Sequence, residues 1–158
     1  MLMNTTDDFE LIKEKGEAYY KTLTKQYCPY LKDAIHFNAE GMEHLKFKKR
    51  KTARSVSDQY MRFKLLNLVP EIISASHTLQ GILETKRFEY LKINNRREFI
   101  LKPVTYYEFI AVIRRNRIKV IVKQIDNHQK IFWSIIPSWG MNKRTATRIL
   151  HEGIPEED

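Results

Sequence analysis

Residues 105–139 read TYYEFIAVIRRNRIKVIVKQIDNHQKIFWSIIPSW, and this stretch decides the fold. Val, Ile, Phe, Tyr and Trp dominate it, the residues that suit a pleated, half-buried surface. Two polar breaks, Arg115-Asn116-Arg117 and Asp126-Asn127-His128-Gln129, divide it into three predicted strands. Asn and Asp tolerate the left-handed backbone that tight hairpins require. No crossover helix fits between the strands, so they are expected to be antiparallel. In the middle strand the two-residue period places Lys119, Ile121, Lys123 and Ile125 on one face and Ile118, Val120, Val122 and Gln124 on the other. With Arg114, Arg115 and Arg117, those lysines predict a sheet with one wet, positive side.

Just upstream, FEYLKI (88–93) and RREFILK (96–102) flank Asn94-Asn95, a two-residue hairpin turn. Pro103 predicts a bulge or corner in the second of these strands. Further back the periodicity becomes helical. Residues 1–27 predict an amphipathic helix with Thr5 or Thr6 as its cap and Asp7, Asp8 and Glu10 in its first turn. Such a helix either packs across the sheet or forms a separate arm. Pro29 breaks it. Residues 34–37 are extended, Asn38 is an N-cap, and a short helix runs through Leu45. The run Lys48-Lys49-Arg50-Lys51-Thr52-Ala53-Arg54 predicts a solvated basic loop, either a plain charged loop or a phosphate-seeking arm. Ser55-Val56-Ser57-Asp58 resembles a capping box opening the strongest helix, whose core face is Val56, Tyr60, Phe63, Leu65 or Leu66, Val69, Ile72 and Ile73. Pro70 kinks that helix or starts a new one.

The expected architecture is therefore α+β: N-terminal helices packed on one face of a four- to five-stranded antiparallel meander. The expected organisation is a helix over 1–27, one α+β domain over 28–150 and an acidic tail over 151–158. The stretch after Trp139 is basic before that tail and suits a clip onto nucleic acid.

The 158 residues, 42% of them hydrophobic, suffice for a single buried core. A net charge of +9 points to a polyanionic partner, RNA or DNA ahead of an anionic membrane. The plainer alternatives are solubility or an acidic protein partner. Cys28 is the single cysteine, which excludes an intramolecular disulfide and a Cys-based zinc cluster. No apolar run approaches 18 residues and no signal-peptide pattern appears, so a soluble cytoplasmic protein is expected, without membrane association.

No Gly-rich phosphate loop, nucleophile elbow or metal-ligand spacing is present; Glu40, Glu43 and His44 are close but do not make a metal site. A mechanism without metal or cofactor is expected. For a basic protein acting on RNA, that chemistry is attack by the RNA's own 2′-hydroxyl. It needs a base, an acid near the leaving oxygen, and cations on the phosphate. His36 and His44 are the candidate acid and base. Arg54, Arg62 and Lys123 are candidates to hold the scissile phosphate and Ser134 to position it. Lys123 and Ser134 are polar in apolar company within predicted strands. Lys48, Lys49, Arg50, Lys51, Arg54, Lys64, Arg114 and Arg117 are candidate RNA contacts, with Trp139 and Tyr106 or Tyr107 as stacking surfaces. Each has a structural alternative: a packed histidine, a solvated helix face, a small residue in a packed strand, an aromatic of the core.

The segments IHFNAEGMEHL (35–45), the basic loop, SVSDQYMRFKLL (55–66) and the meander ending KIFWSIIPSW (130–139) resemble the barnase–EndoU–colicin–RelE-like ribonuclease superfamily. They are similar in particular to its small phage- and mobile-element-associated nucleases. The resemblance spans about two-thirds of the chain, from residue 35 to 139. It implies helices on a four-stranded antiparallel sheet, metal-independent RNA cleavage, and a toxin or mobile-element role. It maps onto an early histidine (His36 or His44), basic residues of the long helix and central strand (Arg62, Lys123) and a late-strand hydroxyl (Ser134). A late-strand catalytic histidine of the barnase kind is missing. The implied partners are tRNA or mRNA and an acidic antitoxin or immunity protein. The competing expectation is a non-catalytic RNA- or DNA-binding module using the positive sheet.

Overall fold

The computed structural model describes residues 5–48, 52–137, 139–142 and 147–150, with side chains from residue 8 to 137 apart from 49–51. In chain order the elements are α1 (Thr5–Thr22), β1 (Lys25–Cys28), β2 (Asp33–His36), α2 (Ala39–Lys46), α3 (Val56–Leu65), α4 (Val69–Ala75), β3 (Gly81–Ile93), β4 (Arg96–Ile113), β5 (Asn116–Ile125), β6 (Lys130–Pro137), β7 (Trp139–Asn142) and β8 (Thr147–Leu150).

The α+β class holds, but the sheet has six strands and is mixed, in the order β1-β2-β6-β5-β4-β3. β3 to β6 form the expected meander. The two further strands come from a short hairpin, β1–β2, where the first helix stops at Thr22 rather than reaching residue 27. β2 then lies parallel to β6, Ile35 opposite Lys130 and His36 opposite Ile131. The chain leaves β2 for the helices and the long hairpins before β6 returns beside it, so this pairing has no local signature. A separate two-stranded sheet, β7–β8, occupies part of the stretch expected to suit a clip onto nucleic acid.

The turns carry two further corrections. The β4–β5 turn is Arg114-Arg115, both with left-handed backbone at φ 50° and 67°, and Asn116 already belongs to β5. Of the bulge or corner expected at Pro103 there is no bulge, since β3–β4 pairing continues unshifted through it, opposite Lys86. Pairing with β5 ends one residue later, at Val104 opposite Ile125, and the Pro103 carbonyl accepts from the Asp126 N–H. The missing N–H therefore faces the side where the ladder has ended, where it costs no bond. Asn94-Asn95 forms the β3–β4 turn as expected, at φ 49° and 63°.

The strand period divides the core. Ile118, Val120 and Val122 of β5 pack with Phe132 and Ile135 under Tyr20, Leu45, Phe63, Leu66 and Ile72 from the helical side. α1 lies on α3, with Gly16 at the close approach to Phe63. Pro70 sits in the first turn of α4, after a single 3-10 turn over Leu66–Leu68, so it starts a new helix. Val56, placed on the core face by periodicity, is exposed at the helix start. The Ser55 hydroxyl accepts from the Asp58 N–H as a cap, but the Asp58 carboxylate turns to Arg54 and Arg62 instead of closing a capping box.

On the opposite face Val104, Tyr106, Ile121, Ile125 and Ile136 form a second cluster. Lys119 and Lys123 lie on this face, yet both are buried and ion-paired, to Glu108 and Glu89. The expected wet, positive side is thus covered at these positions. In register, Lys123 is opposite Tyr106, and Tyr106 opposite Leu83. Glu89 is six residues beyond Leu83, roughly 20 Å along a flat strand. A 2.8 Å contact between Lys123 Nζ and Glu89 therefore requires the β3–β4 hairpin to curl back across the sheet.

Candidate functional site

Helix α2 and the consecutive strands β5 and β6 meet beneath that curled hairpin. α2 begins at Asn38, whose side chain accepts from the Gly41 N–H, and the Tyr20 hydroxyl donates to the Asn38 carbonyl, tying α1 to this cap. Gly41 faces Phe132 so closely that a Cβ there would stand 2.5 Å from the Phe132 carbonyl oxygen. This approach sets His44, in the last turn of α2, against β6. There the β5–β6 register slips: Ile121 opposes Ser134 and Val122 opposes Phe132, leaving Trp133 as the extra residue of a bulge. The Trp133 ring stacks on His44 at 4.0 Å with 20° between planes. On β5, Lys123 places its Nζ 4.1 Å from the Trp133 ring and 2.8 Å from Glu89 of β3.

The result is a cleft of about 400 Å³ with Lys123 and Trp133 at its base. His44, Glu40, Glu43 and Lys48 line the α2 side and Glu89, Tyr90 and Arg97 the hairpin side. It continues into a hollow of about 690 Å³ along Lys86, Phe88, Phe99 and Leu101.

Behind His44 stands a layer of buried charge. The Arg54 Nε donates to the His44 carbonyl at 2.8 Å, and its Nη2 lies 3.0 Å from His44 Nε2. A guanidinium carries donors only, so Nε2 is the acceptor and the ring proton sits on Nδ1. Asp58 joins Arg54 at 3.4 Å to Arg62 at 2.7 Å, and Arg62 donates in turn to the Ser134 hydroxyl. Burial of Asp58 opposes its ionisation, but the bonds and charges of Arg62 and Arg54 outweigh that and hold its carboxyl below the ordinary value.

His44, Arg54, Arg62, Lys123 and Ser134 are thus brought to one place, all buried. They occupy different layers: His44 and Lys123 line the cleft, whereas Arg54, Arg62 and Ser134 brace it from behind. Arg54 is not part of a solvated loop, because His44 and Asp58 take up its guanidinium; Arg62 leaves the solvated face for the same reason. His36 ends β2, half-buried beside Asp33, whose carboxyl is lowered chiefly by a hydrogen bond from Lys130, and it does not line the cleft. Lys48 is exposed at the rim. Lys64 is exposed on α3, 5.7 Å from the Tyr60 ring. Arg114 and Arg117 belong to the β4–β5 turn and the start of β5, outside the cleft lining. Lys49, Arg50 and Lys51 lie outside the described residues, as does the side chain of Trp139.

Glu89, Arg97 and Asp58 were not singled out for the site from the sequence. Asp58 had a signal, since it is four residues from both Arg54 and Arg62 in and beside a helix. Glu89 had none, because only the curl of the hairpin brings it to Lys123. Among the described residues no group of three His, Cys, Asp or Glu side chains could hold a metal ion, and no helix there is long and apolar enough to cross a membrane. Comparison with protein-family models, curated proteins and solved structures gives no match.

Proposed function

We propose that this chain is a metal-independent endoribonuclease that cleaves RNA through its own 2′-hydroxyl. The observation that carries the reading is the convergence of Lys123, Glu89 and His44 in one cleft, from β5, β3 and α2. Lys123 at the base receives the scissile phosphate in place of its contact with Glu89. Glu89, thereby released, takes the 2′-hydroxyl proton as the 2′-oxygen attacks phosphorus. The bond from phosphorus to the 5′-oxygen breaks on the α2 side. There the His44 Nδ1–H hydrogen-bonds the departing oxygen, which is protonated from solvent through the open cleft. The products are a 2′,3′-cyclic phosphate and a 5′-hydroxyl. Arg54, Asp58, Arg62 and Ser134 position His44 and the bulged strand rather than touching substrate. Carboxylates inside the cleft of a basic protein favour catalysis over simple polyanion binding, which they would weaken. A toxin or mobile-element role, with an acidic antitoxin over the cleft, follows from the family resemblance and belongs to the same proposal.

Single-turnover cleavage of RNA by three variants tests these roles. Glu89→Gln is expected to lose about 10²–10⁴-fold in rate, the usual worth of a general base. His44→Ala is expected to lose about 10²–10³-fold, the worth of one donor on a developing charge. Lys123→Ala should lose phosphate binding and rate together. Cleavage at wild-type rate by Glu89→Gln and His44→Ala refutes the mechanism.

A further inference from the structure

One face of the β3–β4 hairpin carries four cross-strand pairs in a row: Lys86 with Pro103, Phe88 with Leu101, Tyr90 with Phe99, and Lys92 with Arg97. Phe88, Tyr90 and Phe99 are between 57% and 59% exposed. Their rings are ordered against each other, Phe99 lying 5.1 Å from Phe88 and 4.7 Å from Tyr90, with the Arg97 guanidinium 5.0 Å from the Tyr90 ring. A soluble chain does not leave such a patch in water without a use for it. Two observations identify the occupant. Cations close both ends of the aromatic row, Lys86 at one and Lys92 with Arg97 at the other, which suits a polyanion and repels a basic second copy. The row is also continuous with the cleft, since Tyr90 and Arg97 line it beside Lys123.

We infer that this face is a stacking platform for the unpaired bases of an RNA strand whose scissile phosphate lies on Lys123. Alternate residues of a strand stand about 7 Å apart, so Phe88 and Tyr90 offer successive rings to successive bases while the terminal cations meet phosphates. Sheets that read single-stranded RNA use aromatics in this way, two or three bases at a time. A duplex keeps its base faces stacked internally and cannot use the platform. The inference rests on the ribonuclease reading for why the strand is held, and it adds to it the substrate class: single-stranded RNA, including loops.

Binding can be tested without cleavage, using a fluorescent 2′-O-methyl 12-mer, which lacks the attacking hydroxyl. The wild type should bind it at least 10-fold tighter than an abasic strand of equal length or the same sequence in a duplex. Phe88→Leu/Tyr90→Leu keeps the apolar area but removes the two rings offered to the bases, and should bind the base-bearing and abasic strands alike. Equal wild-type affinity for the three probes overturns the platform. So does base preference that survives in the double variant. A wild-type dimer that the double variant breaks in sedimentation, with no base preference in either protein, assigns the face to self-association instead. Base-dependent binding without RNA cleavage would end the ribonuclease reading and leave the platform standing.

Discussion

At the scale of single residues, the site depends on buried charge that is fully committed. Asp58 is the hinge of this layer, because it bridges the guanidinium that holds His44 and the one that reaches Ser134. Removing one partner of a fully buried pair costs about 3–5 kcal/mol. Asp58 keeps 30% of its side chain exposed, so Asp58→Asn is expected to cost less, about 2 kcal/mol at neutral pH, read from urea midpoints. The pH dependence has a definite sign. A carboxyl whose pKa is lowered by folding stabilises the protein fully above its unfolded value, about 3.9, and loses that contribution as pH falls through the folded value. The gap between wild type and Asp58→Asn should therefore close below about pH 4. A gap of constant size down to pH 2 contradicts the account.

At the scale of elements, one close fit positions the site and one turn works against stability. Gly41 lets α2 approach β6, and a Cβ there would meet both the Phe132 carbonyl and the Tyr20 hydroxyl at 2.5 Å. Gly41→Ala is expected to destabilise by about 1–3 kcal/mol as overpacking, and to lower cleavage further because α2 carries His44. Unchanged thermal stability in this variant would show that α2 is not held by that approach. The Arg114-Arg115 turn places two β-carbons in a left-handed backbone that Asn-Gly would adopt without strain. Arg114→Asn/Arg115→Gly should raise stability by about 1 kcal/mol, measured by calorimetry; a fall would mean that the arginine side chains hold the turn. The elements also show what a sequence can disclose. The meander, the Asn38 and Ser55 caps and the Asn94-Asn95 turn were legible because each has a local pattern. The β2–β6 pairing was not, since a four-residue strand that meets β6 across most of the chain leaves no periodic trace. Lys123 and Ser134 stood out as polar residues among apolar neighbours. Glu89 falls on the half-buried face of its strand and Glu84 on the exposed one, but that alternation names no partner for Glu89.

At the scale of the whole molecule, the basic balance and the cleft belong to one design. A surplus of nine positive charges suits the polyanionic partner that the proposed function requires. Under the proposed function, the curled hairpin would offer RNA an aromatic face at one end and a lysine, a carboxylate and a histidine at the other. The convergence of these groups could not be read in advance, because it depends on a sheet bend of roughly 20 Å reach rather than on spacing along the chain. The most direct test of the central claim is incubation of the wild-type protein with total RNA and with purified tRNA in excess EDTA, followed by chemical analysis of the ends. Discrete fragments ending in 2′,3′-cyclic phosphate and 5′-hydroxyl are the predicted result. RNA that stays intact at protein concentrations sufficient to bind it, or fragments with 3′-hydroxyl ends, would contradict the claim.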